Sequence, residues 1–362
     1  MKSKLCLLIA FFLISLTLML VSCGKTTTNS TISSTTTKTS SSASSTTNSL
    51  SNTVTIGVTA TITVEKYPSG LAYNSGQGEI FVINSGNSVP QSVISDTTHT
   101  VVPSAFSGYG ANLIAYDSGK KEYFVTSNNY YDGYVISATT NARVATLTIP
   151  EGGTYGPAGI TYDSGKGEIF IANSYANTVL VISDSTNTVI ATIPVGKSPA
   201  GIVYDSGKGE IFVTNSTDGT VSVLSDASNT VVATVIVGKY PHSLAYDSGK
   251  GEIFVANGSD GTVSVISDGS NKVIATVTLP KLSQPNAVAY DSGKGLIFVA
   301  DAGDSSTPGT VSIISDSTNA IVATVTVGTG PNALAYDSGK GEVFVVNRID
   351  GTVSVLSDSS LK

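Results

Sequence analysis

Short segments in which apolar and polar residues alternate recur along most of the chain after residue 52. The unit from Pro241 to Leu279 contains four such segments, starting at Ser243, Glu252, Thr262 and Lys272. A period of two indicates half-buried β-strands. Asp-Gly pairs, which supply the positive φ of two-residue hairpin turns, separate many of the strands, at Asp132-Gly133, Asp218-Gly219, Asp260-Gly261 and Asp350-Gly351.

A phrase of the type Tyr-Asp-Ser-Gly-Lys-Gly-Glu-Ile-Phe-Val recurs seven times at intervals of 42 to 46 residues, beginning at Tyr73, Tyr116, Tyr162, Tyr204, Tyr246, Tyr290 and Tyr336. Each interval holds four strand segments and lacks the 3.6-residue period of helical repeats, so the repeat indicates blades of a β-propeller. The second strand is apolar on both faces, as expected for a sheet covered by a neighbour on each side. We predict an all-β fold, a seven-bladed β-propeller with four antiparallel strands per blade.

The two ends of the repeat region complement each other. The last unit stops after a third strand, Thr352–Leu356, whereas residues 53–64 have the pattern of a fourth strand without the preceding three. Pairing these segments would complete the C-terminal blade and leave no blade interface open. The N-terminal strand is therefore predicted to close the ring, and the propeller domain is predicted to span residues 53–362.

The first residues have the pattern of an export signal. Lys2 and Lys4 precede an apolar run over residues 5–21, and this run ends in Leu20-Val21-Ser22-Cys23, which resembles the lipobox of prokaryotic lipoproteins. We predict a lipoprotein-type signal peptide over residues 1–22 and lipidation of Cys23. An uncleaved membrane anchor and ordinary signal cleavage are the alternatives. The predicted location is extracytoplasmic, anchored to the membrane at the cell surface or in the periplasm.

Residues 23–52 have almost nothing to bury. Serine and threonine occupy 20 of the 27 positions from Thr26 to Asn52, and Asn29-Ser30-Thr31 is a glycosylation sequon. Such a composition cannot offset the entropy cost of ordering, so we expect a disordered stalk that reaches on the order of 30 Å. Further sequons, which would crowd blades four and five if glycosylated, begin at Asn215 and Asn257.

Charge and cysteine content exclude several classes of function. Only 12% of the residues are charged, and 19 basic against 26 acidic residues give a net charge of −7, which argues against nucleic-acid binding. Cys6 and Cys23 are the only cysteines, so a disulfide framework or zinc–thiolate site in the propeller is excluded. The expected partner is an envelope glycan or protein. We expect a monomeric propeller that contacts the membrane through its lipid anchor alone.

The repeat motifs resemble a known family. Second strands read Ile-Phe-Val-Thr-Asn at Ile211–Asn215, Ile-Phe-Val-Ala-Asn at Ile253–Asn257 and Val-Phe-Val-Val-Asn at Val343–Asn347. Over about residues 53–358 the chain resembles the YVTN-type repeat of prokaryotic surface and periplasmic propellers. This resemblance implies the propeller fold and a role in binding, in a surface layer or in an envelope assembly. Departures from the repeat occur in blade two at Lys121, Tyr123 and Ser127, and in blade six at Leu296.

The sequence lacks the common catalytic motifs. The repeated Asp-Ser-Gly-Lys-Gly-Glu has neither the spacing nor the Ser or Thr of a phosphate-binding loop, so it is interpreted as a hairpin with solvated charges, and no Gly-x-Ser-x-Gly occurs. His99, expected at the edge of a fourth strand, and His242 are too few for a three-histidine metal site. We therefore predict a non-catalytic binding or scaffold module with no cofactor, metal or catalytic residues. An extracellular lyase or lactonase-like enzyme and a purely structural surface-layer component are the alternatives.

Residues that break the sevenfold repeat are the candidates for ligand binding. Tyrosines occur in loops of blades one to three that share one predicted face, at Tyr109, Tyr130, Tyr131, Tyr155 and Tyr175. Their rings suit glycan or peptide contacts, although packing of irregular loops would also explain them. His242, near the predicted channel mouth, and Arg348 complete the predicted ligand-binding set. Basic residues on this face, which would favour an anionic ligand or simply be solvated, are Lys66, Lys197, Lys239, Lys281 and Arg348.

Overall fold

The structure, a computed structural model, describes residues 56–85, 89–102, 110–127, 132–148, 156–280 and 284–357. These residues belong to one unit, Asn52–Lys362, and over the described ranges they form strands and no helix. The strands build seven blades, so the prediction of an all-β, seven-bladed propeller is confirmed.

Six blades consist of four consecutive strands, and the seventh of three strands plus β1. Blade 1 comprises β2 (Pro68–Asn74), β3 (Glu79–Asn84), β4 (Ser92–Ser95) and β5 (Thr100–Val102); blade 2 comprises β6 (Ala111–Asp117), β7 (Glu122–Ser127), β8 (Asp132–Ser137) and β9 (Arg143–Thr148). Blade 3 comprises β10 (Pro157–Asp163), β11 (Glu168–Asn173), β12 (Thr178–Ser183) and β13 (Thr188–Pro194); blade 4 comprises β14 (Pro199–Asp205), β15 (Glu210–Asn215), β16 (Thr220–Ser225) and β17 (Thr230–Ile236). Blade 5 comprises β18 (Pro241–Asp247), β19 (Glu252–Asn257), β20 (Thr262–Ser267) and β21 (Lys272–Thr278); blade 6 comprises β22 (Pro285–Asp291), β23 (Leu296–Asp301), β24 (Pro308–Ser315) and β25 (Ala320–Thr329). Blade 7 comprises β26 (Pro331–Asp337), β27 (Glu342–Asn347), β28 (Thr352–Ser357) and β1 (Gly57–Thr63).

The N-terminal strand closes the ring. β1 pairs antiparallel with β28, from Gly57 opposite Ser357 to Thr63 opposite Thr352, in a sheet of order β1-β28-β27-β26. The predicted pairing of the two ends is thus observed, although residues 53–55 of the predicted strand lie outside the described residues. Ile62 points into the core cluster that blade 7 shares with blade 1.

Most of the predicted Asp-Gly turns are longer than predicted. In blade 4, residues 216–219 form a four-residue turn in which only Gly219 has positive φ, at 65°. Asp218 does not serve as the first residue of a two-residue turn, because its Oδ2 accepts a hydrogen bond from the Lys197 backbone N–H at 2.7 Å. In blade 2 the prediction is wrong for a second reason, since Asp132 and Gly133 belong to β8 itself.

The hydrophobic core lies in the seams between blades. Each blade contributes one almost fully buried phenylalanine from its second strand, namely Phe81, Phe124, Phe170, Phe212, Phe254, Phe298 and Phe344. Phe254 of blade 5, for example, shares a cluster with Val288 and Ile297 of blade 6. Burying each such ring contributes roughly 1.5–3 kcal/mol, so every seam between two packed blades adds to the stability of the ring.

The outer strands carry β-bulges. In β17, Val223 pairs with Ala233 and Leu224 pairs with Val231, which leaves Val232 without an opposite partner. Similar register shifts occur in the other outer strands except β5. Blades 2 and 3 also touch edge to edge through one parallel pair, Thr148 with Thr188, so their strands form a continuous eight-stranded sheet.

The repeated Asp-Ser-Gly-Lys-Gly-Glu segment forms a hairpin that links each blade to the next. In blade 3, Asp163 Oδ1 accepts hydrogen bonds from the backbone N–H of Gly165 at 2.7 Å and of Lys166 at 3.2 Å. Lys166 Nζ reaches blade 4, where it donates to the backbone oxygen of Asp226 and lies 3.9 Å from its carboxylate. Burial, together with the Asp163 carboxylate, raises the pKa of Tyr204 to about 12. The segment therefore acts in blade-to-blade packing.

The seam between blades 1 and 2 is built differently. Here Gln77 replaces the seam lysine and Ala138 replaces the aspartate, so the ion pair is lost. Lys121 occupies the position of a glycine, with φ of 56°. Tyr123 is fully buried, with its ring centroid 4.8 Å from that of Phe81 and 5.3 Å from that of Tyr116.

His99 marks another irregular seam. It lies in the turn immediately before β5, at the edge of the fourth strand of blade 1, with φ of 52°. Its Nε2 is 2.9 Å from Glu342 Oε2 of blade 7. The corresponding turn residue in blades 2 to 6 is asparagine with the same positive φ.

Candidate functional site

Several predicted site residues lie outside the described residues. These are Tyr109, Tyr130, Tyr131, Tyr155, Lys281 and the predicted lipidation site Cys23. Their proposed roles therefore stay predictions.

Tyr175 and Arg348 lie on the predicted face but apart from each other. Tyr175, in the turn between β11 and β12, is 77% exposed, and its ring lies so close to Gly156 that a Cβ there would approach it to 2.6 Å. Arg348, in the turn between β27 and β28, is exposed and donates its backbone N–H to Gly330. Neither residue lines a cavity described below. Lys66, Lys197 and Lys239 are likewise exposed and outside these cavities.

The channel mouth is formed by the second residue of each first strand. Going round the ring, these residues are Ser69, Asn112, Ala158, Ala200, His242, Asn286 and Asn332. Five of them are polar, and each of the five bonds to the backbone of the next blade. The bonds are Ser69 Oγ to Asn112 O at 3.0 Å, Asn112 Nδ2 to Pro157 O at 3.1 Å, His242 Nδ1 to Asn286 O at 3.0 Å, Asn286 Nδ2 to Pro331 O at 3.0 Å and Asn332 Nδ2 to Ser69 O at 3.4 Å. The mouth is therefore a preorganised polar ring.

Beneath this ring the channel becomes aliphatic. A cavity of about 220 Å³ runs from the mouth to a belt of branched side chains, Leu71, Ile114, Ile160, Ile202, Leu244, Val288 and Leu334. The first strands pack so closely here that a Cβ on Gly201 would lie 2.3 Å from the His242 backbone oxygen. Glycine at this position lets the inner strands of blades 4 and 5 approach each other.

His242 is the one titratable side chain in the polar ring. It stays accessible to water from the channel, yet many protein atoms surround it, and the resulting desolvation lowers its pKa. The hydrogen bond to Asn286 O opposes this effect only in part. Because a carbonyl oxygen can only accept, Nδ1 carries the proton in the neutral ring, and Nε2 is left as an acceptor.

A larger cavity opens beside His242 on the same face. Its volume is about 540 Å³, and it lies between the loops of blades 5 and 6, lined by Tyr240, His242, Gly258, Ser259, Gln284, Pro285, Asn286 and Ala302. Tyr240, which is 56% exposed, offers its ring, and Ser259 and Gln284 offer exposed polar groups. The adjoining cavity, the polar ring and His242 form what we call the mouth site.

One lining residue of the mouth site is a glycine. Gly258 occupies the turn position held by Ser216 in blade 4 and Arg348 in blade 7, and all three donate their backbone N–H to the loop before the first strand. Gly258 has no unusual φ, and a Cβ there would meet its neighbours at ordinary distances of 3.4 Å. The glycine is thus not required by the backbone, and it lines the cavity together with Pro285.

A third cavity lies at the opposite end of the channel. Its volume is about 440 Å³, and its polar lining comes from Tyr204, Tyr246, Tyr290, Tyr336, Ser248 and Ser292. Burial and the aspartate of the preceding blade raise the pKa of Tyr246 and Tyr290 well above the ordinary range, so these phenols stay neutral. Because the same residues recur in the other blades, this end reads as part of the inter-blade packing.

The sequons at Asn215 and Asn257 do not present usable side chains. Both residues are completely buried, and the Asn257 amide donates to Thr262 Oγ1 at 3.1 Å and Ser264 Oγ at 2.9 Å. Asn215 makes the equivalent bonds. Attaching a glycan to the folded propeller would break this network, so the suggestion that sugars crowd blades 4 and 5 is wrong for the folded chain.

The described ranges hold no group of three or more His, Cys, Asp or Glu residues arranged to bind a metal ion. Nor do they contain a helix of the length and apolarity needed to span a membrane.

Comparison with solved structures supports the architecture. The chain aligns with Kuenenia stuttgartiensis hydrazine synthase with a TM-score of 0.62 and 15% sequence identity, over 69% of this chain and 77% of that chain. At this identity the likeness concerns the fold alone. No family profile and no curated protein matches the sequence.

Sequence reasoning missed most of the mouth site. Tyr240, Gln284 and Asn286 were not among the predicted site residues, although His242 was. A signal was available, since aligning the seven repeats shows glycine at Gly258 where blades 4 and 7 have Ser216 and Arg348. What the alignment does not show is that Gly258 lines a cavity together with Asn286 of the next blade.

Proposed function

We propose that this protein is a non-catalytic binding module of the prokaryotic cell envelope, a YVTN-type propeller that holds a glycan or protein segment at its channel mouth. The single observation that carries the proposal is the mouth site, where a cavity of about 540 Å³ meets a polar ring. Concave sites with one aromatic surface and a few fixed polar groups are the usual form of ligand sites. The lipoprotein signal and the stalk, both predictions from sequence, would hold this face away from the membrane.

The mouth-site side chains suit recognition rather than bond cleavage. Tyr240 supplies a flat apolar ring, while Asn286 and His242 are fixed by bonds to the next blade. Ligand groups would meet donors and acceptors that lose little entropy on binding. Tyr175 and Ile349 are also exposed, in loops of blades 3 and 7 outside the cavity.

A matched pair of variants tests the proposal. Tyr67 and Tyr240 both stand in Lys-Tyr-Pro, with φ of 58° and 54°, and are 59% and 56% exposed, but Tyr67 lies outside the mouth site. Binding of a glycan panel and a peptide panel to the full chain would be measured by calorimetry. We expect Tyr240→Ala to weaken the selected ligand about tenfold or more, and Tyr67→Ala to change affinity less than about twofold.

Two outcomes would contradict the proposal. An equal loss of affinity in both variants would show that exposed tyrosines contribute wherever they lie on the surface. Unchanged affinity in both would show that the mouth site does not bind the ligand. Changing Tyr130 and Tyr131 to alanine tests separately whether the predicted aromatic loops of blade 2 contribute.

A further inference from the structure

We propose that the ligand of the mouth site is uncharged and rich in hydroxyl groups, a neutral glycan segment that donates a hydrogen bond to His242 Nε2, and that acidification releases it. This inference rests on the proposed function and names its ligand class and its regulation. It depends on three properties of the site: an uncharged lining, a fixed acceptor and the absence of a counter-charge near the imidazole.

The lining residues that the structure describes offer a ligand no fixed charge. Its polar side chains are a phenol, a hydroxyl, two amides and the imidazole. The nearest carboxylates are engaged by backbone groups: Asp260 Oδ2 accepts from Lys239 N at 2.7 Å, and the buried Asp301 accepts from Gln284 N at 2.7 Å and from Gly303 N at 3.1 Å. A charged ligand would lose hydration here without finding an opposite charge. A protein ligand would need an uncharged segment at this point, whereas a neutral sugar carries no charge at any position.

The imidazole presents one acceptor in a fixed direction. Nδ1 donates to Asn286 O at 3.0 Å, which fixes the ring and leaves Nε2 to accept from a ligand hydroxyl. The exposed amide of Gln284 and hydroxyl of Ser259 can each donate or accept, and the Tyr240 ring can cover an apolar sugar face. Alternating apolar faces and hydroxyl groups are the chemistry of a pyranose.

Among the described residues, no charged group raises the pKa of His242. On its own strand and on β14, β15, β19 and β22 around it, the titratable residues stand at the far ends, away from the mouth: Tyr204, Asp205, Glu210, Tyr246, Asp247, Glu252, Tyr290 and Asp291. On β23 the buried Asp301 stands at the mouth end, where it accepts hydrogen bonds from the backbone N–H groups of Gln284 and Gly303. The charged groups that the structure describes in the loops of blades 4 to 6 at the mouth face are Lys197, Asp218, Lys239, Asp260 and Asp304, while Lys281 lies outside the described residues. Each of the three carboxylates accepts a hydrogen bond from a backbone N–H.

Binding of a neutral ligand should therefore favour the neutral imidazole. A ligand seated over the mouth removes water from the ring and adds to the desolvation that already lowers the His242 pKa. The affinity for a neutral ligand then stays constant at pH values where His242 of the free protein is neutral. It falls once the pH drops below the pKa of His242. An anionic ligand would show the opposite sign, because protonation would supply the missing positive charge.

The test measures affinity against pH with defined probes. Neutral gluco-, manno- and galacto-oligosaccharides and their uronate counterparts would be titrated into the full chain near pH 7.5 and near pH 4.5, on either side of the ordinary histidine pKa of about 6.5. We expect a neutral oligosaccharide to bind and to weaken about tenfold at the lower pH. The melting transition at both pH values would establish that the propeller stays folded.

His242→Asn provides the matched variant. Asn112, Asn286 and Asn332 occupy the same ring position, so asparagine fits the backbone and keeps the bond to the next blade. We expect this variant to bind the neutral sugar less tightly and to lose the pH dependence to within about twofold.

The outcomes separate the two proposals. A ligand whose affinity depends on Tyr240 but does not fall in acid, or a uronate that binds more tightly in acid, overturns the inference and leaves the binding function in place. Binding that no mouth-site variant changes overturns the proposed function itself. Retention of the pH dependence in His242→Asn would assign the titration to another group and also overturn the inference.

Discussion

The seam between blades 3 and 4 and the seam between blades 1 and 2 join the same elements with different side chains. In the former, Lys166 pairs with Asp226, and a Cβ on Gly209 would lie 2.7 Å from the Asp226 carboxylate. In the latter, Gln77 and Ala138 stand where the lysine and aspartate would be. With the carboxylate gone, the glycine position has room for a side chain, and Lys121 occupies it.

The difference shows that residues of this propeller change in sets across a seam. Replacing the aspartate by Ala138 removes both the partner of the lysine and the obstacle next to the glycine. Two further residues change in the same seam, where Asn74 replaces the repeat aspartate and Tyr123 is buried nearby. The Asn74 amide donates to the Ala138 backbone oxygen at 3.4 Å. The unit that must stay consistent is therefore the interface between two blades, not the single repeat.

The largest effect on stability should come from deleting β1, because no neighbouring repeat can supply a fourth strand to blade 7. Deleting residues 53–64 would remove β1, expose the edge of β28 and open the cluster that contains Ile62. We expect the deletion to abolish a cooperative melt or to lower the melting temperature by about 15 °C or more, since it leaves a blade interface uncovered. Deleting residues 26–52 serves as the control and should leave the melt unchanged. An unaltered transition after loss of β1 would refute closure by this strand.

A double-mutant cycle in blade 4 tests whether the seam set is coupled. Gly209→Lys alone should cost about 3 kcal/mol, because it combines a positive φ of 67° with a clash against Asp226. Adding Asp226→Ala, which reproduces the arrangement of blade 2, should recover at least about 1 kcal/mol despite the loss of the Lys166 contact. Urea unfolding of the two single variants and the double variant gives the coupling energy. Strict additivity would show that Lys121 and Ala138 are unrelated changes.

A smaller effect concerns the glutamate that begins most second strands. Desolvation raises the pKa of Glu168, Glu210 and Glu252, with the neighbouring lysine offsetting part of the rise. The pKa of these glutamates is higher in the folded than in the unfolded protein, so the folded state binds protons more tightly at pH values between the two pKa values. The free energy of unfolding therefore falls as the pH rises through this range. The melting temperature should therefore increase on acidification from neutral pH towards about pH 5.

One substitution assigns this pH dependence. Glu210→Gln should flatten the slope of melting temperature against pH, while Glu65→Gln, in an exposed loop, should leave it unchanged. Blade 6 already shows that the charge is dispensable, since Leu296 stands at this position, is 6% exposed and packs in the same cluster as Ile56. A melting temperature that falls between neutral pH and pH 5 in the parent chain would contradict the assignment.

The repeat made the fold accessible from sequence. Seven tyrosine-centred phrases set the blade count, and the unmatched segments at the two ends indicated how blade 7 is completed, because both inferences need only local pattern and period. Turn length was harder to infer, since Asp218 bonds to Lys197 rather than forming a two-residue turn. A residue with a partner elsewhere in its blade does not follow turn preferences alone.

The mouth site was less accessible for a physical reason. Its bonds join positions about one repeat apart, such as His242 and Asn286, and its cavity lies between the loops of two neighbouring blades. Local pattern shows what a segment contains, but a void depends on what two neighbouring segments leave unfilled. Of the predicted ligand residues that the structure describes, His242 lines this site and Tyr175 and Arg348 do not, while Tyr109, Tyr130, Tyr131 and Tyr155 stay predictions.

The bulges on the outer strands affect whether separate molecules can pair through their sheet edges at high local concentration. These strands are rich in threonine, valine and isoleucine, and their free edges would otherwise be templates for intermolecular sheets. At Ile190, Val232 and Ile274 the extra residue interrupts the regular spacing of backbone donors and acceptors that an incoming strand would need. In a polypeptide with few charges, we expect this backbone irregularity, more than electrostatic repulsion, to oppose pairing between the outer strands of separate molecules.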